Sequence, residues 1–124
     1  MSGLIAPHGG LTEPVNRQVP AEEREAFRAS LNGLPQISVS DADLSTAYRI
    51  GDGGLSPLTG FMGREAFERV LDEEVVLHGG KRYAWTIPLS LPVEAALAGR
   101  LKPGQPAALV SASGEAVGSI TISD

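Results

Sequence analysis

The side chains that could carry chemistry are few and far apart in this sequence. Two histidines are present, His8 and His78, and they lie seventy positions apart. Neither has a second ligand at the short spacing that metal sites use. We interpret His78 as a solvated residue of a predicted turn, and His8 as a side chain that fixes a local turn in a glycine-flanked segment. The histidines therefore predict neither a metal site nor a general base.

A short glycine cluster has the composition, but not the pattern, of a phosphate-binding loop. Gly51, Gly53 and Gly54 match the first positions of a dinucleotide fingerprint, yet the position of its third glycine is Ser56. That fingerprint also follows a strand, whereas the segment before Gly51 has helical spacing. We therefore interpret this cluster as a turn that breaks the preceding helix.

The acidic residues are explained by helix ends and solvated connections. Ser40 and Asp43 have the spacing of a capping box, and no calcium-loop spacing is present. The run Asp72-Glu73-Glu74 follows an amphipathic pattern that we expect to end near Leu71, which places the three acids in a solvated connection. Since the chain also has no cysteine, the sequence predicts no catalytic, cofactor-binding or metal-binding residue.

Composition indicates a single globular domain and argues against nucleic-acid binding. Hydrophobic residues make up 42% and charged residues 20% of the 124 positions, which is the balance of an ordinary folded protein. Ten basic residues are scattered among fifteen acidic ones, for a net charge of −5, and nucleic-acid binding depends on clustered cations. The sequence does not exclude a basic face that forms only when the chain folds. We expect a cytoplasmic protein with no export signal and no membrane span.

Periodicity divides the chain into an arm and one domain. Residues 1–20 hold three prolines and three glycines without a period, which predicts an extended N-terminal arm or an irregular leader. Residues 21–124 form the predicted domain, whose helices begin after Pro20 and cover about 41–49, the amphipathic stretch around 66–71, and 94–101. A four-residue turn with Pro103 and Gly104 follows the last helix.

Alternating apolar residues predict several strands. Ile37 and Val39 form a short one, and a hairpin runs from Val75 to Ile87 around the turn at His78–Lys81. The prolines at 88 and 92 indicate an edge strand or a bend. A final hairpin joins 107–111 to 117–122, with a bulge expected at Gly118. The fold class is therefore α+β, mainly β with short helices, and because the chain stops just after a strand we expect the natural polypeptide to continue.

Four segments resemble the N-terminal domain of ATP sulfurylase (sulfate adenylyltransferase). They are Leu4–Gly10, Val15–Arg17, Leu55–Met62 with its Ser-Pro-Leu-Thr-Gly-Phe-Met order, and Trp85–Leu91. The chain departs from the family in a longer link between Gly10 and Val15 and in extra glycine within 48–54. Both departures concern local loops.

The resemblance implies a PUA-like β-barrel that belongs to a larger enzyme. Such an enzyme transfers the adenylyl group of ATP to sulfate, giving adenosine 5′-phosphosulfate and pyrophosphate, or runs the reverse in sulfur oxidation, with Mg-ATP as its nucleotide. In that family the chemistry belongs to a following domain marked by Gln-x-Arg-Asn-Pro, a motif that this chain does not contain. The resemblance therefore implies that the chain alone is inactive, that its partner is the catalytic domain of the same polypeptide, and that the full-length enzyme is a homo-oligomer.

The candidate structural or domain-interface residues lie in the strongest of these segments. They are Pro57, Leu58, Gly60, Phe61 and Met62. Two hypotheses stay open: the segment braces a junction with the catalytic domain, or it packs only within its own domain. Two other functions also stay open, a stand-alone PUA-like module that binds RNA or protein, and a stand-alone interaction domain.

Overall fold

The computed structural model describes residues 5–124, so Leu4, which begins the first segment of the resemblance, lies outside the described residues. A short 3-10 helix, Ala21–Glu23, leads into helix α1. The four α-helices are α1 Arg24–Ser30, α2 Asp41–Asp52, α3 Arg64–Glu73 and α4 Ala95–Ala98. The five strands are β1 Gln36–Ser38, β2 Val75–His78, β3 Lys81–Ala84, β4 Pro106–Val110 and β5 Ala116–Thr121.

Two helices extend further than the sequence predicts. Helix α2 passes through Gly51 to Asp52 and is broken only at Gly53, whose φ of +89° leaves the helical region. Asp52 favours this ending because its Oδ1 accepts a hydrogen bond from the Gly54 amide at 2.9 Å, and the other oxygen of the same carboxylate binds Arg49 at 2.9 Å.

Helix α3 runs to Glu73, so the prediction that all three acids of 72–74 lie in a connection was wrong for Asp72 and Glu73. The carboxylate of Glu73 binds Arg82 at 2.8 Å and Arg69 at 3.6 Å. These cations offset the unfavourable position of an acid at a helix C-terminus. Glu74 then ends the helix in a left-handed conformation, with φ of 55°.

The strands form two separate sheets among the described residues. Strand β4 is the centre of a three-stranded sheet and pairs in parallel with β1 and antiparallel with β5. Strands β2 and β3 form a hairpin whose turn has positive φ at both Gly79 and Gly80, as a tight two-residue turn requires. The pairing of β4 with β5 changes register between Leu109 and Val110, whose partners are Gly118 and Ala116. Val117 is left unpaired, so the bulge expected at Gly118 lies at Val117.

Contacts divide the chain into two compact units of interleaved sequence. One unit consists of Met1–Arg17 and Ala47–Ser90, and the other of Gln18–Thr46 and Leu91–Asp124. The second unit holds the three-stranded sheet and a core cluster of Ile37, Val39, Ala107 and Leu109. Ile37 is only 1% exposed, and seven partly buried apolar side chains pack against this cluster: Leu44, Leu91, Leu97, Leu101, Val117, Ile120 and Ile122.

The first unit holds the β2–β3 hairpin, helix α3, the Leu55–Met62 segment and the described part of the arm. Val70 of α3 and Val76 of β2 are its buried aliphatic residues near the hairpin, and α3 packs on β2. Residues 85–93 are not assigned to a strand, consistent with the bend that Pro88 and Pro92 predict.

The α+β class is confirmed, with helices that account for more residues than the strands. Within residues 5–124 the sheets of three and two strands do not close into a barrel. Helix α4 is a single turn, shorter than the two turns expected for 94–101. No helix in the described part of the chain has the length and apolar character that crossing a membrane requires.

Candidate functional site

The Leu55–Met62 segment connects helix α2 to helix α3 within the first unit. Ser56 and Pro57 are buried, and the remaining candidate residues Leu58, Gly60, Phe61 and Met62 are partly buried. The Leu58 amide donates to the Leu55 carbonyl at 3.0 Å, and the Ser56–Pro57 peptide bond is cis. The segment is therefore a compact turn. Its inner side is formed by the buried residues Ser56 and Pro57, and its outer side by the partly buried residues Phe61 and Met62.

Ser56 links this turn to the N-terminal arm. Its hydroxyl donates to the carbonyl of Gly53 at 2.7 Å and accepts a hydrogen bond from the Val15 amide at 3.0 Å. The Arg17 amide also donates to the carbonyl of Gly51 at 2.8 Å. The backbone amides of Val15 and Arg17 in the arm thus donate hydrogen bonds to Ser56 and to the end of α2.

Pro57 packs directly against Gly9 of the arm. Gly9 is buried with φ of +97°, and a Cβ at this position would lie 2.5 Å from Cβ of Pro57. Gly10 next to it is also closely packed, because a Cβ at this position would collide with the hydroxyl of Tyr83. Only glycine fits both the backbone conformation and the space at these two positions.

Met62 connects the outer end of the segment to the stretch after β3. The Met62 amide donates to the Leu89 carbonyl at 2.7 Å, and the Leu89 amide lies 3.5 Å from the Met62 sulfur. Phe61 next to it is partly buried. The candidate residues therefore lie between two partners in the same unit, the arm on one side and residues 85–90 on the other.

Both histidines fix the arm, although His8 lies within it and His78 lies far along the chain, at the end of β2. The Nε2 of His8 donates to the Ala84 carbonyl at 2.7 Å, and the Nδ1 of His78 donates to the Gly9 carbonyl at 2.9 Å. His78 thus has a structural bond, in addition to the exposed turn position that was predicted. His8 acts over long range, so the interpretation that it fixes a local turn was wrong.

Two aromatic rings of the hairpin lie beside His8. The ring centroid of Tyr83 is 5.8 Å away in an edge-on arrangement, and that of Trp85 is 6.3 Å away. The Trp85 indole donates to the Ile87 carbonyl at 2.7 Å. Since its polar atom is satisfied and its ring is partly buried, Trp85 packs as structural apolar surface.

The polar side chains of this arrangement hold segments of the chain together. The Ser56 hydroxyl and both imidazoles bind backbone atoms, and Ser56 has no imidazole partner that could activate it. Residues 5–124 contain no group of three or more His, Cys, Asp or Glu side chains that could hold a metal ion. The site is consequently a structural junction between an arm, a turn and a hairpin.

Sequence reasoning identified the segment but missed what it touches. Positions 9 and 10 show the signal that could have revealed the contact, because two adjacent glycines outside any helix often mark a close backbone approach. Their partners, Pro57 and Tyr83, lie more than forty positions away in the chain. Nothing in the local pattern of either partner points back to the arm.

A family model described as a PUA-like domain matches residues 5–124. This chain belongs to the PUA-like domain family. The resemblance of the domain to the N-terminal part of ATP sulfurylase is likewise confirmed by its relatives.

The relatives of this PUA-like domain carry the name sulfate adenylyltransferase. One from Pyropia yezoensis is 48% identical over 122 residues, which cover 98% of this chain and 28% of the relative. One from Synechococcus sp. (strain JA-3-3Ab) is 38% identical over 120 residues, covering 97% of this chain and 29% of the relative. The PUA-like domain thus spans less than a third of the length of the curated relatives it matches.

A solved structure has the same fold. A chain of the hexameric APS kinase from Thiobacillus denitrificans superposes with a TM-score of 0.81 at 33% identity. The match covers 98% of the PUA-like domain and 23% of that chain. In each of these relatives the matching region is therefore one part of a longer polypeptide.

Proposed function

We propose that this PUA-like domain is the non-catalytic N-terminal domain of a sulfate adenylyltransferase. The observation that carries the proposal is the identity of 48% over 98% of the chain with an enzyme of that name. The likeness extends across the whole domain and is not confined to one motif. The full-length enzyme would join ATP and sulfate to give adenosine 5′-phosphosulfate and pyrophosphate in sulfate assimilation, or run the reverse in sulfur oxidation.

The charges of the domain support a non-catalytic part in that reaction. Adenylyl transfer between two anions requires converging cations and oriented donors around the phosphates. Four of the ten basic side chains, at 28, 49, 69 and 82, are already bound to carboxylates of this chain. We therefore infer that Mg-ATP and sulfate bind in the remainder of the polypeptide and that the 124 residues alone are inactive.

In this proposal the Leu55–Met62 segment has two tasks. Its inner side, through Ser56 and Pro57, orders the arm within the domain. Its outer side, through Phe61 and Met62, adjoins the stretch 85–90, in which Ile87 is 59% exposed. We infer that the catalytic domain of the same polypeptide contacts this outer side.

Further properties follow from the enzyme to which the domain would belong. We infer a cytoplasmic protein that forms a homo-oligomer when full length. The structure similar to this domain is named as a hexamer, which supports assembly of the longer chain. Neither nucleic acid nor a membrane is among the partners that we propose.

An RNA-binding PUA-like module is the rival function, and charge argues against it. RNA affinity depends on cations that are available to phosphates, whereas arginine side chains on α1, α2, α3 and β3 are paired with acids. Fluorescence anisotropy with labelled single-stranded and hairpin RNA at physiological salt tests this directly. We expect no saturable binding at micromolar protein, and tight binding would favour the rival.

A domain exchange tests the leading proposal. In the Pyropia yezoensis sulfate adenylyltransferase, the N-terminal region that aligns with this chain would be replaced by residues 1–124. We expect the chimera to retain sulfate-dependent pyrophosphate release, while the same enzyme with the region deleted loses it. A chimera that is soluble and has the parent's oligomeric mass but no activity would contradict the proposal.

A further inference from the structure

Three strand ends lie together at one end of the sheet in the second unit. Strand β1 is parallel to β4 and β5 is antiparallel to it, so β1 and β4 begin at the end where β5 terminates. Just beyond β5, the Ile122 amide donates to the Gln105 carbonyl at 2.9 Å, and the Gly104 amide donates to the Ile122 carbonyl at 2.7 Å. The chain therefore leaves this end of the sheet beside Gln105, shortly before Asp124.

A pocket of about 530 Å³ lies at the same end of the sheet. Ligand pockets in proteins have volumes of about 300–1,000 Å³, so this one has room for a small ligand or a few side chains. Its walls come from the loop before β1, the start of β1, helix α4 with the residues just after it, and the residue before β4. They include Leu34, Pro35, Gln36, Leu97, Arg100 and Gln105. One wall residue, Gln105, is thus also the residue that binds the departing chain.

The pocket combines apolar side chains with hydrogen-bond donors that the domain does not use. Its two leucines and its proline are partly buried. The side-chain oxygen of Gln105 accepts from the Lys102 amide at 3.1 Å, which leaves the NH₂ group of the same carboxamide to donate. The exposed Arg100 guanidinium has no hydrogen-bond or ion-pair partner in the described part of the chain. An occupant of this pocket must therefore supply acceptors.

The unpaired arginine favours a carboxylate as its acceptor. A guanidinium group binds a planar carboxylate through two parallel hydrogen bonds. Elsewhere in the domain the arginines at 28, 49, 69 and 82 bind Asp or Glu side chains. Arg100 has no such partner within residues 5–124, although the chain has more acidic than basic residues. Its chemistry therefore suits a carboxylate supplied from outside these residues.

We propose that the segment of the polypeptide that follows Asp124 docks in this pocket and places an Asp or Glu carboxylate on Arg100. The inference rests on the proposed function, in which the polypeptide continues into a catalytic domain, and this chain covers only 28% of the Pyropia yezoensis relative. Strands β5 and β1 are two interstrand spacings apart, about 10 Å in all. About three extended residues span that distance. The first few residues after Asp124 therefore suffice to reach the wall at Gln36.

Tethering distinguishes this occupant from a free ligand or a separate protein. One carboxylate and a few backbone hydrogen bonds form only a weak contact between separate molecules. A segment attached through a short linker is present at an effective concentration in the millimolar range, so the same contact becomes populated. Docking fixes the path along which the polypeptide leaves the PUA-like domain, and with it the point from which the catalytic domain begins.

Photo-cross-linking in the chimera with the Pyropia yezoensis enzyme tests the docking. The residue at position 36 would be replaced by a benzophenone amino acid, because Gln36 is an exposed residue of the pocket. After irradiation and digestion, mass spectrometry should find it joined to a peptide within about ten residues after position 124. The same amino acid in place of Ser45, an exposed site on α2, is the control and should not capture that peptide. Capture of other peptides only, or of none, from position 36 overturns the proposal.

Charge variants test the contact with Arg100. Arg100→Glu repels a carboxylate and should lower the yield of the cross-link from position 36 at least about fivefold, since hydrogen bonds to charged groups are among the stronger ones. Arg100→Lys keeps the positive charge and should retain most of the yield. Arg24→Glu makes the same change of charge at an exposed position on α1 and should leave the yield unchanged. Equal yields from Arg100→Glu and Arg24→Glu contradict the carboxylate contact.

Pyrophosphate release by the same chimera separates this proposal from the proposed function. Activity without the cross-link refutes the docked segment and leaves the assignment of the enzyme intact. The cross-link without activity supports the docked segment and counts against the assignment of the enzyme.

Discussion

The Nε2 of His8 lies 2.7 Å from the carbonyl oxygen of Ala84, to which it donates a hydrogen bond across 76 positions of sequence. This bond joins the first described turn of the arm to the last residue of strand β3. With the bond from His78 to Gly9, it holds the arm at two points on one hairpin. The described part of the arm up to Arg17 is thus part of a folded unit.

Replacing His8 by alanine should loosen the arm. We expect a loss of about 1 kcal/mol in the free energy of unfolding, the usual net value of one hydrogen bond. Trp85, whose ring centroid is 6.3 Å from that of His8, should become more exposed and shift its emission to longer wavelength. Thr12→Ala, at an exposed arm position, is the control and should change neither quantity. An unchanged emission maximum in the His8 variant would contradict the described contact.

Replacing Gly9 by alanine should cost more than the same change at Gly33. Both glycines have positive φ, but a Cβ at Gly9 meets Pro57 at 2.5 Å, whereas one at Gly33 has nothing within 4 Å. Gly33→Ala should lose about 1 kcal/mol of stability from backbone conformation alone. Gly9→Ala should lose at least twice as much, measured by urea unfolding. Equal losses would mean that the arm does not pack on Pro57.

Removing the Ser56 hydroxyl should release the Val15 amide. Ser56 is 8% exposed and bridges Val15 and Gly53, so Ser56→Ala leaves a donor and an acceptor unpaired at a cost of about 1–3 kcal/mol. Hydrogen exchange at the Val15 amide should accelerate by more than at amides of β4. Ser45→Ala on the exposed face of α2 is the control, and it should be neutral or slightly stabilising. Unchanged exchange at Val15 would disprove the bridge.

Removing the cap of α2 should destabilise the second unit. The Ser40 hydroxyl accepts from the Asp43 amide at 3.1 Å and lies 2.9 Å from its carboxylate. Ser40→Ala should lower the free energy of unfolding by about 1 kcal/mol, whereas Ser40→Asp, which can also cap, should retain most of it. Circular dichroism during thermal unfolding measures both. Equal damage from the two variants would contradict a capping role.

Phe61→Ala distinguishes the two hypotheses for the Leu55–Met62 segment. If Phe61 contacts the catalytic domain, the isolated domain should lose little stability while the chimera fails to assemble. Leu58→Ala is the comparison variant, since it lies on the same turn and is also partly buried. Comparable damage to the isolated domain and to the chimera would show that Phe61 packs only within the domain.

Local features of the fold follow from the sequence because their causes are local. The Gly79-Gly80 hairpin turn, the turn in which the Gln105 amide donates to the Lys102 carbonyl, and the Ser40 cap each depend on neighbouring residues. Their positions in the structure match the sequence prediction.

Features that depend on distant partners did not follow from the sequence. The parallel pairing of Ile37 with Leu109 joins two stretches between which the segment Ala47–Ser90 of the first unit lies. The end of α3 was misplaced because Glu73 is stabilised by Arg82, which lies beyond the helix on β3. In the candidate site, the Leu55–Met62 segment was recognisable by its residues, but its contact with Gly9 arises only when the chain folds back.

The central claim is that the chemistry lies in another part of the polypeptide. The most direct test measures sulfate-dependent pyrophosphate release by the purified 124-residue chain at saturating Mg-ATP and sulfate. We expect a rate equal to the background without protein, because the described residues hold no metal cluster and several of their cations are paired with acids. Turnover above that background by the chain alone would contradict the account.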